Sequence, residues 1–360
     1  MKILLFIPSL GGGGAERQLV NLAILFKNRG FDVEFLIYHE DYFYLNILNE
    51  NNIKINFLKS HSKLDRIIKV RNFLRNNNQD VVISFLEITA FLSGISAIGG
   101  KKWKLITTEL SSKERTFKTL KGKFYSFFRV YSDSIVCNSY NAMDKWMKYF
   151  PNYKDKLSVI YNPVILPEIV SEYVYRKNGK FNLVIAASYQ FLKNPIGLIK
   201  AINLMSEQER NLLKVDWYGR IELIKGDTRA YDEAKELVKN LNLEQVIYLN
   251  KEVADIAEKF YQADAIGLFS ELEGLPNSIC EAMAIGKPIV MTKFSDYKNL
   301  VDGNGFLCDW DDPESIKTAI LKLMNSDFNS IQNMGIKSKE KANLLFSTHE
   351  ILNKWVSLFD

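Results

Sequence analysis

The stretch SELEGLPNSICEAMAIGKPIV, Ser270 to Val290, decides how the rest of the chain is read. Upstream of it DAIGLFS reads as a buried strand, and Ala282 to Ile285 continue a helical pattern after Pro276. Glu273, Gly274 and Leu275 therefore fall in a strand-to-helix turn, the place where ligands bind in an open α/β sheet. Pro276 is expected at the first helical position, where a missing N–H costs nothing, leaving the amides of Asn277 and Ser278 to face an anion such as a phosphate. Glu273 in the loop and Glu281 one turn into the helix are placed to flank the same ligand. A diol partner for each carboxylate would make this a sugar-nucleotide site. The plainer reading of the same residues is a pair of solvated carboxylates stabilised by the helix dipole.

Working outward, 360 residues suffice for two domains that each bury a core, and 47% hydrophobic with 25% charged residues is the make-up of a folded globular protein. No apolar run approaches the roughly 20 residues that span a bilayer. MKILLFIPSL is too short for a signal peptide and runs straight into a first strand, so a cytoplasmic location is expected. Cys137, Cys280 and Cys308 stand apart without a C-x-x-C pair, and His39, His61 and His349 are equally scattered, so reduced thiols and no zinc site are expected. A net charge of +5 is too modest for a nucleic-acid footprint over the whole surface.

Strands alternate with helices along the whole chain, which spells doubly wound parallel sheets. Met1 to Ile7 is a continuous apolar run, as a strand buried on both faces should be. Gly11, Gly12, Gly13 and Gly14 separate it from the amphipathic AERQLVNLAILFKNRG. Strand, glycine loop and helix together let backbone approach a phosphate closely, though a flexible turn explains the glycines as well. DVEFLIY, IKINFL, DVVISFL, KLITTEL, SDSIVCNSY and KLSVIYNPV continue the first half; FNLVIAAS opens the second. Between Val164 and Lys180 the periodicity fades, which places a linker there. Asp309, Trp310 and Asp311 form a D-x-D, but Asp312 and Pro313 read as the N-cap and first residue of a helix, so no metal is assigned.

From Lys101 to Arg129 basic and aromatic residues interleave, including Trp103, Lys113, Arg115, Phe117, Lys118, Lys121, Lys123, Phe124, Tyr125, Phe127 and Phe128. Three readings stay open: an amphipathic segment lying on an anionic membrane surface, a helix with an aromatic face in the core and a solvated basic face, and, least favoured, nucleic-acid contact. No nucleic-acid partner is expected.

Glu273, Gly274, Glu281, Ala282, Ala284, Gly286 and Pro288 together resemble the E-G-x-x-x-x-x-x-E-A-x-A-x-G-x-P signature of the family 4 retaining glycosyltransferases. The resemblance implies a GT-B fold, α/β, with two Rossmann-like doubly wound domains facing across a cleft. It implies an acceptor-binding domain at 1–164, a linker at 165–180, a nucleotide-sugar-binding domain at 181–340, and a terminal segment 341–360 packing back on the first domain through Trp355 and Leu358. Glu273 would contact hydroxyls of the donor sugar and Glu281 would hold the ribose diol, with Gly274, Leu275, Pro276 and Asn277 completing the turn around the donor. GGAERQLVNLA resembles the family's first loop, which brings Gly13 and Gly14 against the donor diphosphate and the acceptor. Asp133 and Ser139 stand in the places of the family's D-x-I-V-x-x-S element.

Three departures matter. Relatives commonly carry a His at the strand end where KLITTEL has Glu109, whose roles stay open: orienting the acceptor hydroxyl, accepting its proton, or capping a neighbouring helix. The family's G-R-L followed by Lys neutralises the donor diphosphate; here Lys193 is kept but Ser188 stands where the Arg is expected, so either a phosphate contact comes from elsewhere, for instance from Arg220 after VDWYG, or the leaving group is held less tightly. Asn299 stands where a Glu is common. In relatives the loop after VIYLN lies near the base, which makes Leu249, Asn250 and Val253 base contacts, while the amides of Asp296, Tyr297 and Lys298 would reach the phosphates. The implied function is transfer of a sugar from a nucleoside diphosphate sugar, a UDP-sugar first, to a hydroxyl of a glycan or polyprenyl-linked acceptor in cell-surface polysaccharide synthesis. No cofactor and no metal are required by that scheme, and a lipid-linked acceptor would bring the protein to the inner face of the cell membrane. The alternative is a non-catalytic sugar-nucleotide-binding or scaffold protein of the same fold.

Overall fold

A computed structural model of the chain describes residues 1–110, 117–167, 173–176, 179–222 and 226–360. The chain divides into two compact units, Met1–Pro163 with Phe346–Asp360, and Val164–Leu345. Each is a Rossmann-like parallel sheet.

Among the described residues the first unit holds β1 (Lys2–Phe6), β2 (Asp32–Ile37), β3 (Lys54–Phe57), β4 (Val81–Ser84), β5 (Lys104–Glu109), β6 (Ser134–Cys137) and β7 (Leu157–Val159), in the order β3-β2-β1-β4-β5-β6-β7. All the pairings are parallel, and Leu5 of β1 lies between Phe35 and Ile83. Ile3, Leu4, Leu5 and Phe6 are fully buried, which is why β1 reads as an unbroken apolar run. Each such side chain contributes about 1.5–3 kcal/mol of burial free energy. Helices start where a side chain caps them: Ser62, Thr119 and Ser139 accept from the amides of Asp65, Gly122 and Ala142. The helix Thr348–Val356 packs on the helix Gly14–Asn28, with the Trp355 and Phe359 rings against Phe26. Phe359 is buried and Leu358 only partly so, one residue along from the contact expected.

The second unit holds β8 (Phe181–Ala186), β9 (Leu213–Gly219), β10 (Ile247–Lys251), β11 (Ala265–Leu268), β12 (Ile289–Thr292) and β13 (Gly305–Cys308), in the order β10-β9-β8-β11-β12-β13, again all parallel. β8 lies between β9 and β11, so the loops that leave it and β11 open side by side. Gly219 closes β9 beneath the end of β8, and a Cβ there would overlap the Ala187 carbonyl oxygen, so no larger residue fits. Of the stretch expected as a linker, Tyr173 and Arg176 are tied into this unit: Asp264 accepts from the Tyr173 hydroxyl at 2.9 Å and from the Arg176 amide at 3.1 Å.

One device recurs in both sheets. Asp80, Asp133 and Asp264 each stand one residue before a strand, and each takes the N–H of a residue in the neighbouring strand's first turn of pairing, Lys2 at 2.7 Å, Leu105 at 2.6 Å and Asn182 at 2.7 Å. In every case the aspartate's own amide donates back to that same residue's carbonyl. The reciprocal pair satisfies backbone groups at the strand's entry and fixes register there. This gives Asp133 a structural reason, and Ser139, as the cap of the helix Tyr140–Tyr149, another.

The span Lys101–Arg129 is not one amphipathic segment. It contributes the strand β5 and, after the Thr119 cap, the short helix Leu120–Phe127; Lys113 and Arg115 lie outside the described residues. Trp103, Phe117 and Arg129 are buried, and Tyr125 and Phe128 pack on Phe91. Leu120, Phe124 and Phe127 face outward.

Candidate active site

The turn after β11 is where the sequence places it. Ser270 is fully buried at the strand's end, its carbonyl accepting from the Thr292 hydroxyl at 2.5 Å, and the Glu271 amide donates to the Leu192 carbonyl at 2.8 Å. That last bond ties the turn to the neighbouring one after β8, a short 3-10 turn Phe191–Lys193. Asn194, in left-handed backbone with φ 61°, ends it and caps the helix Pro195–Asn203 by accepting from the Gly197 amide at 3.0 Å. Two strand-end turns held this way bring Lys193 and Glu273 together. The Lys193 ammonium pairs with Glu273 Oε1, which also accepts from the Ser270 hydroxyl at 2.8 Å. The side chains of Lys193 and Glu273 remain 18% and 14% exposed, so the pair meets solvent.

Helix Asn277–Ile285 follows. Pro276 is its N-cap and not, as expected, its first residue, because the carbonyl of Pro276 already accepts from the amides of Ile279 and Cys280. The first-turn amides of Asn277 and Ser278 still precede the first amide that bonds back into the helix, the arrangement that receives anions. Leu275 and Pro276 are buried, Gly274 and Glu281 half-buried. Gly286, in left-handed backbone at φ 91°, closes the helix.

Across the ends of β8, β9 and β10 runs a second row. Ala186 pairs with Tyr218 and Tyr218 with Asn250, so Ser188, Arg220 and Glu252 come two residues later at matching levels on neighbouring strands. The position that lacks the expected Arg thus has Arg220 one strand away, about 4.8 Å in the hydrogen-bonding direction. Arg220 pairs with Glu252 at 3.0 Å, and its carbonyl accepts from the Tyr189 amide at 2.9 Å. Ser188 accepts from the Gln190 side chain at 2.6 Å. The Asn250 carbonyl takes the Tyr189 hydroxyl at 2.9 Å, which fixes the backbone of that edge strand. The Asp296 and Tyr297 region begins the helix Tyr297–Leu300, with the Tyr297 amide donating to the Phe294 carbonyl.

The first unit carries the remaining candidates. Gly13 is the N-cap of the helix Gly14–Asn28, and a Cβ there would strike the Glu16 carboxylate, which folds over the loop. Burial, partly offset by a backbone hydrogen bond and reinforced by the charge of Asp41, raises the Glu16 pKa above its ordinary value. Glu109, at the end of β5, accepts through Oε2 from Arg129 at 3.2 Å and Trp146 at 3.1 Å. Arg129 also donates to the Thr108 carbonyl at 2.9 Å and stacks over the Trp146 ring at 4.9 Å. Glu87 nearby has its pKa raised by burial and then by the Glu109 charge.

Sequence reasoning missed Ser270, Glu252 and Glu16. Ser270 stands in the quoted stretch, three residues before Glu273, and Glu16 follows the glycine run as an acid in a helix's first turn; those spacings were the available signals. Of the D-x-D, Asp309 pairs with Lys293 at 2.9 Å and Asp312 caps the helix Pro313–Met324. Among the described residues no cluster of His, Cys, Asp or Glu is arranged to hold a metal ion.

Comparison with known proteins bears on this geometry. The family model described as Glycosyltransferase Family 4 matches residues 12–166, and that described as Glycosyl transferases group 1 matches residues 172–341. The chain is 27% identical over 376 residues to the GalNAc-alpha-(1->4)-GalNAc-alpha-(1->3)-diNAcBac-PP-undecaprenol alpha-1,4-N-acetyl-D-galactosaminyltransferase of Campylobacter jejuni, covering 99% of this chain and 98% of that one. It is 22% identical over 347 residues to that organism's N-acetylgalactosamine-N,N'-diacetylbacillosaminyl-diphospho-undecaprenol 4-alpha-N-acetylgalactosaminyltransferase, covering 91% of each. The crystal structure of HepE from Anabaena in complex with UDP superposes with a TM-score of 0.84 at 18% identity, over 99% of both chains, which gives the fold. The two family models, the spaced glutamates and the paired parallel sheets agree: the chain belongs to the family 4 glycosyltransferases and is a glycosyltransferase of GT-B fold.

Proposed function

We propose that the chain is a retaining hexosyltransferase that moves a sugar from a UDP-sugar to a hydroxyl of a polyprenyl-diphosphate-linked glycan in cell-surface polysaccharide synthesis. The observation that carries this reading is the Lys193–Glu273–Ser270 cluster beside the N-terminus of the helix Asn277–Ile285. As the glycosidic bond to the diphosphate breaks, negative charge grows on the leaving phosphate oxygens. The Lys193 ammonium and the amides of Asn277 and Ser278 meet that charge without reorganising, which is where preorganised donors lower a barrier most. Glu273, held by Lys193 and Ser270, accepts from hydroxyls of the donor sugar and fixes its orientation. Glu281 holds the ribose diol, and Asn250 offers backbone to the base. Arg220, at the level of Ser188, takes the phosphate contact that the missing Arg leaves open, exchanging Glu252 for the diphosphate. These cations and amides stand in for a metal.

UDP as the donor's nucleotide is supported by the UDP complex of HepE, and a lipid-linked acceptor by the undecaprenol compounds in the names of the two Campylobacter relatives. In the first unit the Glu16 carboxylate beside Gly13 favours a hydroxyl-bearing ligand over a phosphate at the glycine loop. Glu109 acts there as a positioning residue, its carboxylate already committed to Arg129 and Trp146. The test is incubation with a panel of UDP- and GDP-sugars and an undecaprenyl-diphosphate-linked glycan, reading nucleotide release and the anomeric configuration of the product. UDP release with a retained anomer, lost in Glu273→Gln, is expected. An inverted anomer overturns the retaining assignment, and release from GDP-sugars alone overturns the donor. Donor binding without release would assign the non-catalytic alternative.

A further inference from the structure

We infer that the second unit carries a pocket for a small carboxylic acid with an apolar body, at the end of its sheet opposite the Glu273 turn. Asp264 and Lys287 lie just before β11 and β12, at the entry ends of those strands, whereas Ser270 to Pro276 follow the exit of β11. At the entry side a cavity of about 250 Å³ opens, walled by Ile285, Pro288, Ile331 and Ile336 and by the rings of Tyr173 and Tyr261. The helix Phe328–Phe346 lies directly on the turn that carries Lys287: a Cβ on Gly335 would overlap the Gly286 carbonyl oxygen, so the two backbones touch.

Lys287 is what makes this cavity a site. The residue is only 6% exposed, and its ammonium lies 3.6 Å from the Tyr173 ring centroid and 5.2 Å from that of Tyr261. Among the described residues that ammonium makes no hydrogen bond and no ion pair. Hiding three N–H donors and a charge without an acceptor is costly, and ring faces offset only part of it. The nearby carboxylate is already used. Asp264 accepts from the Tyr173 hydroxyl and the Arg176 amide through one oxygen and from the Asn182 amide at 2.7 Å through the other, so it attracts the Lys287 charge without bonding to it. A ligand would bring the missing acceptor. Lys287 supplies a single buried charge, Lys339 and Gln332 stand exposed at the mouth, and much of the wall is apolar. A singly charged carboxylate on a small hydrocarbon body matches both features, whereas a doubly charged phosphate would leave one charge without a buried partner. Space limits the body, because the cavity falls short of the roughly 300–1,000 Å³ of drug-sized pockets.

The pocket is independent of the donor site, so its test needs no sugar nucleotide. Benzoate, with benzamide and inorganic phosphate as controls, is titrated into the full chain by calorimetry at pH 7 and pH 9. The ε-carbon resonance of Lys287, identified by its absence in Lys287→Met, is followed in parallel. Burial holds Lys287 down to about 8, so it is mostly charged at the lower pH and mostly neutral at the higher. The other titratable groups facing it are Tyr173, Tyr261, Asp264 and Lys339, and burial pushes the Tyr173 hydroxyl upward, away from that window. Saturable one-to-one benzoate binding that moves the Lys287 resonance is expected, about tenfold weaker at pH 9 because only the protonated fraction binds. It should vanish in Lys287→Met and weaken several times in Ile336→Asp, a change at the mouth where Ile336 is 51% exposed and the fold tolerates it. The pH step and Ile336→Asp carry the test whether or not Lys287→Met folds. No benzoate binding by wild type overturns the proposal, as do benzamide binding as tightly as benzoate, phosphate binding more tightly, displacement of benzoate by UDP, or binding undiminished in Lys287→Met.

Discussion

Glu109 ends β5 of the first sheet and Glu273 stands in the turn after β11 of the second; each faces a cation, yet in very different surroundings. Glu109 pairs with Arg129, whose side chain is only 2% exposed, and the indole of Trp146 takes the same carboxylate oxygen while lying under the guanidinium. Glu273 pairs with Lys193 in a turn that still meets solvent, with a hydroxyl and not a ring as its third partner. A flat guanidinium sealed between a strand end and an aromatic face locks a segment in place. A flexible ammonium at the mouth of a turn can exchange its carboxylate for a phosphate. On the function proposed above, the same charge pair would support the fold in one unit and the chemistry in the other.

The largest expected break comes from Glu109→Gln, which leaves Arg129 buried without its counter-charge and should cost about 3–5 kcal/mol in denaturant unfolding. Glu273→Gln should do the reverse: a rate lower by roughly 10²–10³, about 2.7–4 kcal/mol of transition-state stabilisation, as for other preorganised groups. Lys287 sharpens the contrast as a buried cation set among rings, 3.6 Å from the centroid of Tyr173 and 5.2 Å from that of Tyr261. Burial pushes its pKa down to about 8, against an opposing pull from Asp264. The unfolded chain then binds the extra proton between about pH 8 and the ordinary lysine value, so stability rises with pH across that window. Against Lys287→Met, wild type should gain on the order of 2–3 kcal/mol between pH 7 and pH 10.5, read from paired urea titrations. The smallest effect is expected of Arg220→Ala, about tenfold in kcat/KM for the UDP-sugar with the melting temperature unchanged, because an exposed ion pair such as Arg220–Glu252 adds little stability.

Much of this was legible in the chain. Unbroken apolar runs give central parallel strands, since both faces of β1 are covered, and the spaced Glu273 and Glu281 give the turn and its helix. What could not be read were distances between turns that are remote in sequence. That Lys193 meets Glu273 follows from β8 lying beside β11, and that Arg220 lies level with Ser188 follows from the register of β8 and β9. The partners of Glu109 were hidden for the same reason, since Arg129 and Trp146 reach it from segments 20 and 37 residues away. Interleaved rings and lysines between Lys101 and Arg129 look uniform as text; only the fold shows that Arg129 is buried against Glu109 and Tyr125 stacked on Phe91, while Phe124, at the edge of the same ring cluster, and Phe127 stay more than half exposed. Pro276 shifted by one position because its carbonyl, which proline keeps, accepts the first helical bonds.

The central claim is that the open pair carries the reaction and the sealed pair carries the fold. The direct measurement is a cross of Glu273→Gln and Glu109→Gln in two assays, UDP release per folded molecule and the urea midpoint. We expect Glu273→Gln to lose roughly 10²–10³ in rate with a midpoint close to wild type, and Glu109→Gln to lose stability while keeping its rate within about tenfold. Full activity in Glu273→Gln, or an unchanged midpoint with lost activity in Glu109→Gln, would contradict that division.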